Sequence, residues 1–357
     1  MPEGRKCPLS KFKAQVNSKS YENVQFTTLL INKKMKNPTD SDTHFEDGIF
    51  NRLNIIIEKK AGFKNNLLNK EDYFFNNFLP DMKNCLDRET LLYVCFLVKK
   101  YNGVLDELRN NNFEFAEIYL SEIDSIFSYE PTVPNLIIKT VANNVMAYKA
   151  YKYGRNEDVL NLLINSLEID CMLEEEGFAF MHFHKIQTLH NIARNHLKQN
   201  LKSGVNLSLE LMKYLSTRQG DFRLGKFVLL QEKNELSADL CRKLFLQIFN
   251  DLIFHFVKFD DSNDTYFLEI YRRNLSAIRQ KEKYLNFIEE WLNIVVQLDK
   301  NARVNNLSSI TKFLKHYSDR LACLSVFLIK KLLSIYPSEM EASKRLRSNL
   351  KNYGFSI

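Results

Sequence analysis

Two stretches of the chain repeat one pattern: NNVMAYKAYKYGRNEDVLNLLINSLEID from Asn143 to Asp170, and HNIARNHLKQNLKSGVNLSLELMKYL from His190 to Leu215. Each stretch begins with a segment that contains small residues, turns at a polar corner and continues with an aliphatic segment. The corners fall at Gly154 and Asn200. Because Gly and Asn adopt the left-handed conformation that ends a helix more easily than other residues, both stretches are predicted to be helical hairpins.

The two stretches align when their turns are superimposed, although the turns are 46 residues apart. Ala147 then falls on Ala193 and Val159 on Val205, and each alanine precedes its turn by seven residues. A small residue is expected there, because the two antiparallel helices of a hairpin approach closely only where one of them has little side chain.

This paired pattern resembles the tetratricopeptide repeat, a helical hairpin with a period of normally about 34 residues. The resemblance covers two units over about residues 138–215 and a weaker unit at residues 88–128, where Phe113 and Ala116 occupy the aromatic and small positions. It implies a stack of antiparallel helical hairpins, which is an α-solenoid. The spacing of 46 residues departs from the usual period of the family.

Composition favours the all-α class as well. Of the 357 residues 45% are hydrophobic, only 10 are glycine and 7 are proline, and no proline lies between Pro134 and Pro337. Apolar residues in that region recur at intervals of three and four, which is the helical period. We therefore predict a repeat domain of stacked helical hairpins at residues 81–357, behind a smaller helical N-terminal portion at residues 1–80.

The region beyond Gly220 is predicted to contain helices and no strands. Polar segments such as DDSND, which begins at Asp260, mark the loops between them. In the N-terminal portion, an amphipathic segment is expected at residues 21–35 and a second helix over about residues 45–60. The helices expected after Gly220 cover residues 234–259, 266–282, 282–298, 307–319, 320–335 and 338–352.

The chain lacks the short motifs of common enzyme families. It contains no phosphate-binding loop, dinucleotide-binding glycine pattern, nucleophile elbow or HExxH sequence. The cysteines form no CxxC pair, so neither a zinc site nor a disulfide framework is indicated, and a reducing compartment fits best. We predict no catalytic residues and no cofactor. The six cysteines are Cys7, Cys85, Cys95, Cys171, Cys241 and Cys323.

Four histidines, at positions 182, 184, 190 and 196, follow an acidic run in the second repeat. A metal site on a helix needs ligands three or four residues apart, whereas His182 and His184 are two apart and point about 200° from each other. We therefore predict no metal site. The histidines are interpreted as polar positions on a helix whose apolar face consists of Phe180, Phe183, Ile186 and Leu189.

Charge and hydropathy indicate which kinds of partner to expect. The net charge is +7, but 50 basic and 43 acidic residues are mixed along the chain, so nucleic acid stays an alternative that the sequence does not favour. The longest apolar run, Leu91–Val98, is far shorter than the roughly 20 residues that cross a bilayer, and no signal peptide is apparent. A cytoplasmic protein without a membrane partner is expected.

The resemblance also implies a binding surface, because the first helix of each tetratricopeptide unit lines a concave groove. The expected function is a non-enzymatic scaffold that binds a protein or peptide segment there. The alternative is a ligand- or peptide-responsive transcriptional regulator whose N-terminal portion contacts DNA, or a nucleic-acid-binding protein that uses a basic helical surface. The residues predicted to line the groove are Asn144, Tyr148, Tyr151, Gln187, His190, Arg194 and Lys198.

Overall fold

Helices dominate the described part of the protein and account for 84% of it, which confirms the predicted helical content. The segment expected at residues 21–35 and the helix expected over residues 266–282 lie outside the described residues, and of the helix expected over residues 45–60 only Leu53, which is helical and buried, is described. The computed structural model describes residues 53, 73–127, 130–217, 220–230, 236–259, 286–299, 309–314, 316, 322–335 and 341–352.

The chain divides into two compact units. The first, here called the hairpin unit, comprises residues 68–252 and 265–282. The second, here called the terminal unit, comprises residues 1–67, 253–264 and 283–357. The division expected near residue 80 stays a prediction.

The hairpin unit is a succession of helices in which neighbours along the chain pack together. Helix α2 packs on both α3 and α4, each helix from α4 to α6 packs on the next one, and α7 contacts β1. The elements are α1 (Tyr73–Cys85), α2 (Arg88–Arg109), α3 (Phe113–Asp124), α4 (Val133–Lys152), α5 (Asn156–Glu175), α6 (Met181–Gln199), α7 (Leu201–Thr217), β1 (Phe222–Leu224), β2 (Phe227–Leu229) and α8 (Ala238–Phe259).

Local chemistry explains where these helices begin and end. The Asp87 carboxylate caps α2, because its Oδ1 accepts hydrogen bonds from the backbone of Glu89 and Thr90, both at 3.0 Å. Gly154 turns between α4 and α5 with a φ of +73°, as predicted. Asn200 differs from the prediction: its backbone is extended, and its Oδ1 accepts from the backbone N–H of Ser203 at 3.1 Å. It therefore caps the start of α7 instead of ending α6 in the left-handed conformation.

A small residue allows close helix packing in the second predicted hairpin. The closest approach involves Gly204 on α7, where a Cβ atom would lie 2.4 Å from the backbone nitrogen of Leu197 on α6. Glycine is therefore required at this position for α6 and α7 to pack as they do. All four residues that the repeat alignment paired are buried: Ala147, Val159, Ala193 and Val205.

A short β-hairpin lies between α7 and α8, where the sequence predicted no strand. Strands β1 and β2 pair antiparallel, with Phe222 opposite Leu229 and Leu224 opposite Phe227. The connection has two residues and begins with Gly225, whose φ is +60°, a conformation that such tight turns require. Phe222, Phe227 and Leu229 are buried, so the hairpin is attached by one apolar face.

The terminal unit contains the last residues of α8 together with α9 (Asn286–Asp299), α10 (Ala322–Ile335) and α11 (Glu341–Asn352). Residues 309–314 are also helical. Helix α10 packs on α9 and on α11. The fully buried Trp291 joins α9 to α10, because its indole N–H donates to the carbonyl of Leu324 at 3.1 Å.

Candidate functional site

Helices α4 and α6 run side by side in the same direction. Asn144 donates to the Thr188 hydroxyl at 3.1 Å and accepts from the Asn191 amide at 2.9 Å, across separations of 44 and 47 residues. Thr140 and His184, one turn earlier, are again 44 residues apart. Contacts at a nearly constant separation mean that the two helices are parallel, which brings residues from both predicted repeats onto shared faces.

One shared face is a buried polar seam between α4, α5 and α6, which we define as Thr140, Ser166, Asp170 and His184. The Thr140 hydroxyl donates to Asp170 Oδ1 at 2.6 Å, and His184 Nδ1 lies 2.9 Å from Asp170 Oδ2. Thr140 and Ser166 also place their hydroxyl oxygens 2.6 Å apart. All four residues are buried, so the polar seam ties three helices together in the interior.

The polar seam has the residue types of a hydrolase triad but not the geometry. In such a triad the carboxylate holds one ring nitrogen and the nucleophilic hydroxyl faces the other. Here Thr140 and Asp170 both lie on the Nδ1 side of His184. Because Asp170 and Thr140 have no solvent-exposed surface, a substrate would not reach them. The arrangement supports a structural role.

A second buried polar cluster, here called the clamp, consists of Glu174, His182, Lys185 and Tyr214. His182 lies 2.7 Å from Glu174 Oε1 through Nδ1 and 2.7 Å from the Tyr214 hydroxyl through Nε2. Lys185 Nζ donates to Glu174 Oε2 at 2.6 Å and to the carbonyl of Val228 at 3.0 Å. Through Lys185 the clamp holds β2 against α6.

Hydrogen bonding sets the charge of the clamp. Burial alone would raise the pKa of Glu174, but the hydrogen bonds from His182 and Lys185 outweigh burial and hold that pKa below its usual range. Nearby Cys171 is different, because burial raises the pKa of its thiol despite the charge of Lys185. The thiol is therefore not activated as a nucleophile.

His190 and Arg194 on α6 both face Asp251 on α8. His190 Nε2 lies 3.4 Å from Asp251 Oδ2, which is within ion-pair distance but outside hydrogen-bond geometry. Arg194 Nε lies 3.3 Å from the same oxygen, and the arginine side chain is 50% exposed. Burial lowers the pKa of His190 to about 4, so the ring is neutral at neutral pH.

Three of the four histidines that were interpreted as polar positions on this helix are buried. His182, His184 and His190 are 1%, 6% and 4% exposed. The reason is that α6 packs on α5 and α7 and meets α4 and α8 through side chains, so neighbours cover nearly all of its circumference. Each buried ring instead faces a carboxylate.

Two residues predicted to line the groove are used inside the fold. The Asn144 amide donates to the Ser166 hydroxyl at 2.8 Å as well as bonding Thr188 and Asn191. His190 is buried against Asp251. The Asn144 amide therefore holds helices together and the His190 ring is buried, so neither side chain is available to bind a ligand on this surface.

The other predicted residues lie on what we call the open face of α4 and α6. Lys198 Nζ lies 3.4 Å from the centre of the Tyr151 ring, and Lys152 Nζ lies 5.7 Å from the centre of the Tyr148 ring. The two tyrosine rings are 6.1 Å apart. The open face consists of Tyr148, Tyr151, Lys152, Gln187, Asn191, Arg194 and Lys198, of which Arg194 and Lys198 are exposed and the others partly buried.

The described ranges also bear on metal binding and on membrane spanning. Among those residues, no group of three or more histidine, cysteine, aspartate or glutamate side chains is placed to hold a metal ion. Within the same ranges, none of the helices combines the length and the apolar character needed to span a bilayer.

Comparison of the chain with protein-family models, curated proteins and solved structures finds no match. The tetratricopeptide resemblance therefore stays a prediction.

Proposed function

We propose that the protein is a non-enzymatic binding protein, built from tetratricopeptide-like helical hairpins, which holds a segment of another protein on the open face. The observation that carries the proposal is the cluster of two tyrosines and two lysines that α4 and α6 form together. Tyr151 and Lys198 come from different repeats and are in direct contact. Arg194 adds a third cation on the same side of α6.

The chemistry of the open face indicates the partner. Interfaces concentrate binding energy in tyrosine and arginine side chains, which combine a large contact area with directional polar groups. Three cations and two half-buried rings fit a segment that alternates carboxylates with apolar side chains. Asp251, which is 23% exposed, offsets part of the charge of Arg194, so this preference rests mainly on Lys152 and Lys198.

Binding is a better account of these residues than catalysis. The acid–histidine pairs of the polar seam and the clamp are buried, and the polar atoms quoted for them are satisfied inside the fold. The open face offers cations and rings but no carboxylate paired with a histidine on its surface. Its residues therefore suit recognition of a charged segment.

Nucleic acid fits the open face less well than a protein segment does. Single-stranded nucleic acid is held by aromatic rings whose faces are open to stack on bases. The face of the Tyr151 ring is covered by Lys198. A salt titration with labelled single-stranded DNA tests this point, because a complex dominated by phosphate contacts weakens steeply as salt rises.

The proposal is tested by affinity purification with the full chain and two charge-reversal variants. Arg194→Glu changes the open face, and Arg223→Glu is the control, because both arginines are exposed and each lies 3.3–3.5 Å from one aspartate. Partners retained by the wild type and Arg223→Glu should be lost with Arg194→Glu. We expect their affinity, measured with the purified partner, to fall at least about tenfold. Equal recovery by all three proteins would show that the open face is not the binding surface.

A further inference from the structure

The first hairpin of the hairpin unit exposes an apolar stripe that the open face does not include. Phe115 and Ile118 on α3 are 60% and 54% exposed, and Ile126, in the turn that follows α3, is 46% exposed. Side chains of this size and polarity are usually buried. Phe115 and Ile118, three residues apart, lie on one side of α3, and Ile126 lies just beyond the end of that helix.

Two residues of α2 continue this surface. Leu92 and Phe96 are one turn apart and are 62% and 47% exposed. Lys100 Nζ lies 5.8 Å from the centre of the Phe96 ring and 5.5 Å from that of Tyr119 on α3, so Phe96 lies on the side where α2 and α3 meet. We call Leu92, Phe96, Phe115, Ile118 and Ile126 the apolar stripe.

The charge around the apolar stripe is opposite to that of the whole protein. Between Arg88 and Glu130 the chain has four basic and eight acidic residues, a net charge of −4, whereas the complete chain has +7. Helix α3 has four acidic residues and no basic one. Two of these acids, Glu117 and Glu122, pair with lysines of α4 and α2, yet the hairpin keeps its acidic excess.

We propose that the apolar stripe is a second docking surface and that its occupant is an amphipathic helix of a partner protein, with lysine or arginine beside its apolar face. A helix fits because the exposed apolar residues form a band along one hairpin, which is how grooves receive amphipathic helices. A basic helix fits because its cations would face the carboxylates of α3. A second copy of this chain fits poorly, because an isologous contact would bring two acidic hairpins together.

The test uses two labelled 18-residue peptides and the full chain. One peptide has leucine on one helical face and lysine on the other, and its match has glutamate in place of lysine. We expect the leucine–lysine peptide to bind, measured by fluorescence anisotropy, and its match to bind at least tenfold more weakly. The serine double variant Phe115→Ser with Ile118→Ser should weaken the first complex at least tenfold.

The control is Met172→Ser on α5, because Met172 and Ile118 have the same exposed fraction of 54%. This variant should bind the leucine–lysine peptide as the wild type does. Equal binding of both peptides, or an unchanged affinity in the double variant, would overturn the proposal. Light scattering of the free chain provides a separate decision: a dimer that the double variant dissociates would assign the stripe to a second copy instead.

Discussion

The polar seam and the open face are carried partly by the same two helices, yet their polar residues have opposite surroundings. Thr140 and His184 are buried and bond to Asp170 within the fold. Tyr151 and Lys198 lie farther along the same helices, and Lys198 is exposed. The surroundings differ because a third helix, α5, covers Thr140 and His184 and supplies Asp170 to the polar seam.

This difference separates stability from binding. Removing one partner from a buried polar network leaves the others without water or hydrogen bonds, which is costly. Removing one partner from an exposed pair lets water take its place, which costs little. Changes in the polar seam should therefore act on folding, and changes on the open face should act on partner affinity.

The largest effect is expected from Asp170→Ala, which deprives His184 and Thr140 of their common partner. Breaking a buried pair in this way typically costs about 3–5 kcal/mol of unfolding free energy. Urea denaturation followed by circular dichroism measures this loss. Asp170→Asn, which keeps the shape and one oxygen acceptor, should lose less, about 1–3 kcal/mol. A loss below about 1 kcal/mol for the alanine variant would show that the seam does not support the fold.

The next effect concerns pH and His190. Its pKa falls from 6.5 to about 4 on folding because burial disfavours the charged ring. The unfolded chain then binds a proton that the folded chain does not, so stability is highest above pH 6.5 and declines as pH falls toward 4. This shift of the His190 pKa corresponds to about 3 kcal/mol of unfolding free energy. The charge of Asp251 opposes the effect of burial on the pKa, and the charge of Arg194 adds to that effect.

The measurement for His190 is the unfolding free energy at pH 7 and at pH 4.5 in wild type and two variants. His190→Gln should reduce the loss of stability between these values, whereas His316→Gln, at an exposed position, should leave it unchanged. If His190→Gln retains the full loss, other groups cause the pH dependence. In that case the buried His190 would contribute no more to the pH dependence of stability than the residues of the open face do.

A smaller effect is expected from Gly204→Ala, which tests the close packing of α6 on α7. The added Cβ would lie 2.4 Å from the Leu197 backbone, and overpacking of this kind typically costs about 1–3 kcal/mol. Gly103→Ala is the matched control, because its Cβ would meet only the Tyr119 ring at 3.8 Å. That variant should be neutral or more stable by up to about 1 kcal/mol, since alanine favours helix. Similar melting temperatures for both variants would contradict the packing argument.

The smallest effect on stability is expected on the open face. Arg194→Ala removes a half-exposed pair with Asp251 and should change the unfolding free energy by about 0–1 kcal/mol. The same change should weaken partner binding by about 1–3 kcal/mol. Thermal denaturation and partner binding, measured on the same preparation of the variant, test these two expectations. A large loss of unfolding free energy would show that Arg194 supports the fold, as the buried residues do.

Helix positions could be predicted well from the sequence, while the β-hairpin was missed. The weaker unit predicted at residues 88–128 begins where α2 begins, at Arg88, and the predicted turn at Gly154 has the expected positive φ. The strands escaped notice because each has only three residues, too few to show a period of two. The Gly225–Lys226 pair between two apolar triplets was the available signal.

The acid–histidine pairs were also not predicted, although one feature of the sequence indicates the pair of Asp170 and His184. Asp170 and His184 lie seven residues on either side of Gly177, which turns between α5 and α6 with a φ of +97°. Residues equidistant from the turn of an antiparallel hairpin lie next to each other. This symmetry becomes informative only once Gly177 is known to be the turn.

By itself the sequence determined the helical class, the turn at Gly154 and the residues that share a face of each helix. These properties depend on neighbours within a few positions of the chain, through the helical period and the backbone preferences of glycine. Only the tertiary structure decided which polar residues would be covered. His190 and Lys198 lie two turns apart on α6, yet one is buried and the other exposed. Periodicity cannot distinguish them, because Asp251, which covers His190, lies 61 residues farther along the chain on another helix.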